Sequence, residues 1–433
     1  KETATEYLGI AADRISGILS GISVPADHTG PASPENSSQT HRERDPDRFN
    51  GKQQPNQVAG KRGRTTMEHE TFSADRNTTG GYQNSSNTNR ETTGAGGETS
   101  KTDREIPAKE FPIRQKDPGN ESGFRELDLH AFSAPEELDH DMDRLVEYLV
   151  GPAKDKVERA RVVFSWIASH VCYDDHGFNT GEYSGTSAEA VFRNRRAVCE
   201  GFANLFKRMG EKAGLDIIVV SGYSKGISYR EGRPFDDTNH AWNLIYLEDR
   251  WRLFDVTWAH GYGTAVNGKL VSLREFDDYW FDTPPDEFIF THLPSDPKWQ
   301  LASVALTKSQ FEQLPCAGAS FFKLGFDGTE CLRDALKGNL SAFPESYMND
   351  GSIRALSLPK QRSITAYQPI RIRLQSEAET DLAIVNNGEW VHLQKEGDEY
   401  LAVINPQPGK LTHNARTEGS AGSYNTLLSY RVN

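Results

Sequence analysis

No run of eighteen consecutive apolar residues occurs in the 433-residue chain, so the sequence predicts no membrane-spanning helix. Cysteine is scarce. The four present, Cys172, Cys199, Cys316 and Cys331, are too few for a disulfide scaffold, and no CxxC pair or Cys/His cluster with zinc spacing accompanies them. A reducing, cytoplasmic setting with one working thiol is the expectation, with no metal and no cofactor. Basic charge also falls short: 49 Lys and Arg against 62 Asp and Glu leave a net charge of −13. That argues against a general nucleic-acid binder, which needs a positive surface to displace counterions. The opening Lys1-Glu2-Thr3-Ala4 lacks both a signal peptide's apolar core and an initiating methionine, as a fragment or a processed form would.

Aromatic residues are nearly missing from one part of the chain. Residues 28–123 hold only Phe49, Phe72, Tyr82 and Phe111, and the first of seven tryptophans is Trp166. This stretch accounts for the low mean hydropathy of −0.67. A segment such as Thr92-Thr93-Gly94-Ala95-Gly96-Gly97 cannot bury enough apolar surface to offset chain entropy, so residues 1–124 are expected to form a disordered tail. A short helix over 2–20 is its one apolar element, with Tyr7, Leu8, Ile10, Ile15, Ile18 and Leu19 on one side.

Periodic pattern begins near Leu127. Pro135-Glu136-Glu137 opens a helix with the stripe Leu138, Met142, Leu145, Val146 and Leu149, and Gly151-Pro152 ends it. A second helix is predicted over Lys154 to His170. A third follows Cys199, with Phe202, Leu205, Phe206, Met209 and Ala213 at helical spacing and Gly214 as its stop. Leu215 to Val220 reads as a buried strand, and two more strands are expected at His240–Tyr246 and Trp251–Trp258. The fold class is α+β. Beyond Trp299, short alternating stretches such as Ile370, Ile372 and Leu374, with a turn at Asn387-Gly388, predict a β-rich region over 301–433, an immunoglobulin-like sandwich.

Three of these elements carry the residue types of thiol catalysis. Cys199 opens its helix, and a helix N-terminus and a nearby imidazolium both favour the thiolate. A buried structural cysteine is the competing reading. If the two later strands pair through a two- or four-residue turn centred on Glu248-Asp249, His240 and Asp255 share one sheet face, about 7 Å apart at Cβ. A three-residue turn would put them on opposite faces. Asp255, between Phe254 and Val256, needs a partner if it is buried, and His240 is the economical one.

Val198-Cys199-Glu200-Gly201, His240-Ala241-Trp242-Asn243 and Trp251 to Trp258 together resemble the transglutaminase-like superfamily, whose core is distantly papain-like. Arg161 to Ile167 with Tyr173-Asp174, Asp278-Tyr279-Trp280-Phe281 and Phe290 to Gln300 narrow the resemblance to the kyphoscoliosis peptidase and hillarin branch. It covers residues 127–300, within a catalytic domain expected over 125–300. The resemblance implies Cys199 as nucleophile, His240 as general base and acid, and Asp255 as the residue orienting His240. It further implies acyl transfer at protein amide bonds through a thioester, in a cytoskeletal setting, with protein substrates as partners. The competing class is a catalytically silent scaffold that binds cytoskeletal partners.

Four smaller expectations accompany this reading. The Cys199 backbone N–H is a natural oxyanion donor, with Trp166 or Tyr173 weighed as a second. Trp242, Trp251, Trp258 and Trp280 are expected in the core rather than along a cleft. Asp277, Asp278 and Asp282 could receive a cation, as calcium binds in animal transglutaminases, but no EF-hand-like spacing supports it. Cys172 is read as an ordinary thiol rather than a redox partner of Cys199.

Overall fold

The computed structural model describes residues 123–347, 351–376, 380–417 and 423–433. The tail expected over 1–124, with its helix at 2–20, lies outside the described residues except for its last two positions.

Helix α1 (Arg125–Phe132) brings in Asp128, whose buried carboxylate accepts from Arg161 at 2.7 and 2.6 Å and from Ser165 at 2.6 Å. The first predicted helix is split. A single 3-10 turn covers Glu136–Leu138, and α2 (Met142–Val150) starts afresh because Asp141 accepts from the backbone N–H groups of Asp143 and Arg144. Helix α3 (Lys156–His170), capped by Asp155, runs through the middle of the core, with Val163, Phe164, Trp166 and Ile167 fully buried. Burying each such side chain is worth about 1.5–3 kcal/mol.

A parallel pair follows. Strand β1 (Cys172–Tyr173) leads through α4 (Asp175–Thr180) and α5 (Ala188–Asn194) to its partner β2 (Arg196–Ala197). Directly after β2, α6 (Cys199–Lys212) begins. Its first turn packs so closely on β2 that a Cβ at Gly201 would lie 2.7 Å from that of Ala197.

Strands β3 (Asp216–Ser224), β4 (His240–Leu247) and β5 (Arg250–Phe254) are the antiparallel centre of a five-stranded sheet. The β4–β5 turn is the two-residue type, with Glu248 and Asp249 both at positive φ (46° and 62°), and Asn243 pairs with Phe254. This is the register that keeps His240 and Asp255 together. After β5 come α7 (Val256–His260), the hairpin β6 (Gly261–Val266) and β7 (Lys269–Arg274), and then β8 (Phe281–Thr283). Helix α8 (Pro285–Phe288) leads to β9 (His292–Pro294). The sheet order is β8-β5-β4-β3-β9, so its two edges come from sequence beyond the predicted strands.

A second hydrophobic core begins at Ile289, Phe290 and Leu293. Three short helices, α9 (Lys308–Gln313), α10 (Ala319–Phe322) and α11 (Gly328–Leu336), occupy the start of the region predicted as β-rich. The remainder is two sheets. One runs in the order β10 (Glu345–Ser346), β19 (Asn425–Val432), β18 (Gly409–Thr417), β14 (Thr380–Asn386), β15 (Glu389–His392), with β12 (Ser363–Ile364) added parallel to β19; the other runs β11 (Ile353–Ser357), β13 (Ile370–Ser376), β17 (Glu399–Ile404), β16 (Gln394–Glu396). Strands β13, β14, β18 and β19 supply most of the inward face. Ile372 and Leu374 from one sheet and Leu382, Ile384, Leu411 and Leu428 from the other join in that core.

Candidate active site

Asp255 is the hub. The sequence pattern places it inside a strand, but β5 ends at Phe254 and Asp255 is the N-cap of α7. The reason is local: its Oδ1 accepts from the backbone N–H groups of Thr257 at 2.9 Å and Trp258 at 3.0 Å, which turns the chain into a helix. Its Oδ2 accepts from His240 Nε2 at 2.7 Å and from His292 Nε2 at 3.0 Å. The carboxylate is fully buried yet receives four hydrogen bonds. Burial alone would raise its pKa, but the two histidines hold it well below the usual carboxylate range.

His240 opens β4 opposite Gly222 of β3. With Nε2 committed to Asp255, Nδ1 is the nitrogen left for the Cys199 thiol, which lies close enough to this ring for each to shift the other's pKa. Burial would lower the imidazole's pKa, but the Asp255 charge and hydrogen bond, with the thiolate's, raise it. Cys199 is the first residue of α6 and half-buried. Burial would raise its pKa, yet the hydrogen bond and charge of His240 and the backbone of Ala241 bring it below a free thiol's. Both shifts favour a thiolate–imidazolium pair, with a buried carboxylate behind it.

His292 is the member that the sequence pattern did not single out. Its stretch, Phe290 to Gln300, enters only as part of the family resemblance, with no role for the ring, although a histidine in the apolar run Phe290-Thr291-His292-Leu293 would need partners if buried. Its side chain is completely buried, and burial pushes its pKa down to about 4 despite Asp255. Its Nδ1 meets Thr291 Oγ1 at 2.8 Å.

The ligand-type atoms of His240, Asp255 and His292 lie within 4.8 Å of one another. Each imidazole Nε2 here donates its hydrogen to Oδ2, so these nitrogens could ligate an ion only by giving up both hydrogen bonds. Asp277, Asp278 and Asp282 instead face Lys323 at 2.7 Å, Arg161 at 3.5 Å and Arg252 at 2.6 Å.

Trp242 and Trp280 are buried as expected, while Trp258 lies half-buried over the site, 5.7 Å from the His240 ring and 4.4 Å from that of His292. Trp166 is packed between His170 and Arg195. Tyr173 stacks on Phe202, and its hydroxyl pKa is raised by burial and then by the Cys199 charge. Cys172 is exposed and accepts from Arg274 at 2.9 Å.

Residues 143–256 match the transglutaminase-like superfamily. This segment is a transglutaminase-like domain. The matched segment contains Cys199, His240 and Asp255 and ends before His292. Among curated relatives, this transglutaminase-like chain is 30% identical to the kyphoscoliosis peptidase of Homo sapiens over 314 residues, 71% of its own length and 43% of the relative's. Hillarin of Drosophila melanogaster is 33% identical, over 47% of the chain and 26% of hillarin. Cytokinesis protein 3 of Schizosaccharomyces pombe is 25% identical, over 41% of the chain and 20% of that protein. The chain thus spans less than half the length of these relatives. Among the described residues, no helix is long and apolar enough to cross a membrane.

Proposed function

We propose that this protein catalyses cysteine-dependent acyl transfer or hydrolysis at amide bonds of protein substrates. The observation that carries the proposal is the buried His240–Asp255 hydrogen bond beside Cys199, which stands at a helix N-terminus. The Cys199 thiolate attacks the amide carbonyl carbon, forming a C–S bond and an oxyanion. The Cys199 backbone N–H, at a helix start where such groups lack intrahelical acceptors, is suited to meet that oxyanion. As the C–N bond breaks, the His240 imidazolium gives its proton to the leaving nitrogen, and a thioester remains. His240, now neutral, takes a proton from water or an amine as that acceptor attacks, and the thiolate departs. Water makes the reaction peptidase-like; an amine makes it a crosslink.

The names of two relatives support parts of this reading. A kyphoscoliosis peptidase favours amide hydrolysis, and a cytokinesis protein favours the cytoskeletal, cytoplasmic setting that the family resemblance implies. The test is the rate of iodoacetamide labelling against pH, resolved by site, for wild type and His240→Ala. Cys199 should label with an apparent pKa below that of a free thiol, about 8.5, and lose this in His240→Ala. A Cys199 that labels no faster than Cys316 or Cys331, and ignores His240, would replace the enzyme with the silent scaffold.

A further inference from the structure

The triad accounts for one of the two imidazoles on Asp255. An ionised carboxylate can only accept, so the 3.0 Å contact requires that His292 Nε2 carry a hydrogen. The Nδ1 of a neutral ring is then an acceptor, and the Thr291 hydroxyl stands 2.8 Å from it, able to donate. Asp255 thus sets the tautomer, and the Thr291 hydroxyl, whose single hydrogen can reach Nδ1 at 2.8 Å or the Phe288 carbonyl oxygen at 3.3 Å, is compatible with it in a ring that has no solvent exposure.

We propose that His292 is a positioning residue of the active site: a neutral, buried donor that holds Asp255 ionised and aimed at His240. The proposal rests on the acyl-transfer reading above. Its physical basis is the balance at Oδ2. A fully buried carboxylate favours its protonated form unless donors compensate, and among the described residues Asp255 has four, two from its own helix cap and two from imidazoles. Without His292, a proton on Asp255 becomes easier to hold, the His240 imidazolium loses its counter-charge, and the Cys199 thiolate loses its partner. His292, being neutral, supplies the donor without adding a second positive charge beside His240.

The position of His292 has a second consequence. It stands on β9, where Ser224 of β3 pairs with it, and its neighbour Leu293 is part of the second core. The donor that completes the site is thus placed by the β3–β9 pairing and by the rings of Phe288 and Trp258, on a strand that bridges the two cores and lies beyond the segment that matches the superfamily.

The test is the pH profile of Cys199 labelling in wild type, His292→Phe and His292→Gln, with folding checked by circular dichroism. Phe keeps the ring's shape and removes the donor, whereas the Gln side-chain amide places an N–H near the position of Nε2. His292→Phe should raise the apparent pKa of Cys199 by about one unit, a tenfold slower reaction on the acid limb, and His292→Gln should restore most of it. A folded His292→Phe with the wild-type profile overturns the proposal, as does a folded His292→Gln that restores nothing. If wild-type Cys199 is itself not activated, the acyl-transfer reading fails, a separate result. Should the Phe variant not fold, nitrogen-15 NMR of wild-type histidines decides. His292 should hold its hydrogen on Nε2 and not titrate near pH 6.5; an ordinary titration there, or a hydrogen on Nδ1, overturns the proposal.

Discussion

At the scale of single residues, Asp255 does three jobs with two oxygens: it caps α7, orients His240 and receives His292. Asp255→Asn separates them. Asparagine is as good a cap, so Thr257 and Trp258 keep their acceptor, but its amide puts a donor where both imidazoles donate. The expected outcome is a folded protein, less stable by about 1–3 kcal/mol in urea unfolding, because a buried hydrogen bond to a charged group is lost. Cys199 labelling at neutral pH should fall by about tenfold or more as the thiol returns towards its free pKa. The positions of Cys199 and His240 at the starts of their elements were readable from local pattern. The significance of His292 was not, because it lies in contact with a residue 37 positions away.

At the scale of elements, the site depends on where β9 lies against β3. A Cβ on Gly222 would fall 2.2 Å from the Leu293 carbonyl oxygen and 2.6 Å from the Trp242 ring, so the close approach requires glycine. Gly222→Ala is expected to displace β9, and with it His292, while leaving Cys199, His240 and Asp255 unaltered in sequence. Cys199 labelling should slow at neutral pH, with a loss of stability of about 1–3 kcal/mol from overpacking, read by thermal melting. For β4–β5 the sequence left two registers open, and the two-residue turn at Glu248-Asp249 is the one that keeps His240 and Asp255 together. The end of β5 was not legible, because Phe254, Val256 and Trp258 continue an apolar texture through the point where Asp255 caps a helix. The helices over 308–336 were missed for a similar reason: they are short, and their shape comes from packing around Phe311, Phe321 and Phe322.

At the scale of the whole molecule, buried histidines set the response to acid. His170, His260 and His292 have pKa values lowered by burial to about 4, and His413 to about 3. The unfolded chain takes up protons near pH 6.5 while these native rings do not. Stability is therefore intact above pH 6.5 and declines as pH falls from there towards 3–4. Asp255, with its pKa depressed, adds to the loss once pH passes below the unfolded carboxylate range. His240 works the other way: its raised pKa contributes stability below pH 6.5 that is lost as pH climbs through the folded value. His413 tests the acid side cleanly. It is buried beside Tyr430, and neither ring nitrogen has a hydrogen-bond partner among the described residues. His413→Leu should raise the urea midpoint more at pH 5 than at pH 8; an equal effect at both would remove His413 from the acid response.

The sequence by itself determined the α+β class, the superfamily and the order in which thiol, imidazole and carboxylate arrive, because these follow from local periodicity, turn chemistry and adjacent motifs. Tertiary structure alone decided that Asp255 caps a helix, that a second histidine shares its carboxylate, and that this histidine comes from a strand that bridges the two cores. The physical reason is the range of the forces. Helix and strand formation is governed by neighbours a few residues apart, whereas a buried charge is satisfied by whatever donors packing brings to it. In this chain one of those donors arrives from a strand that no local pattern places beside the site.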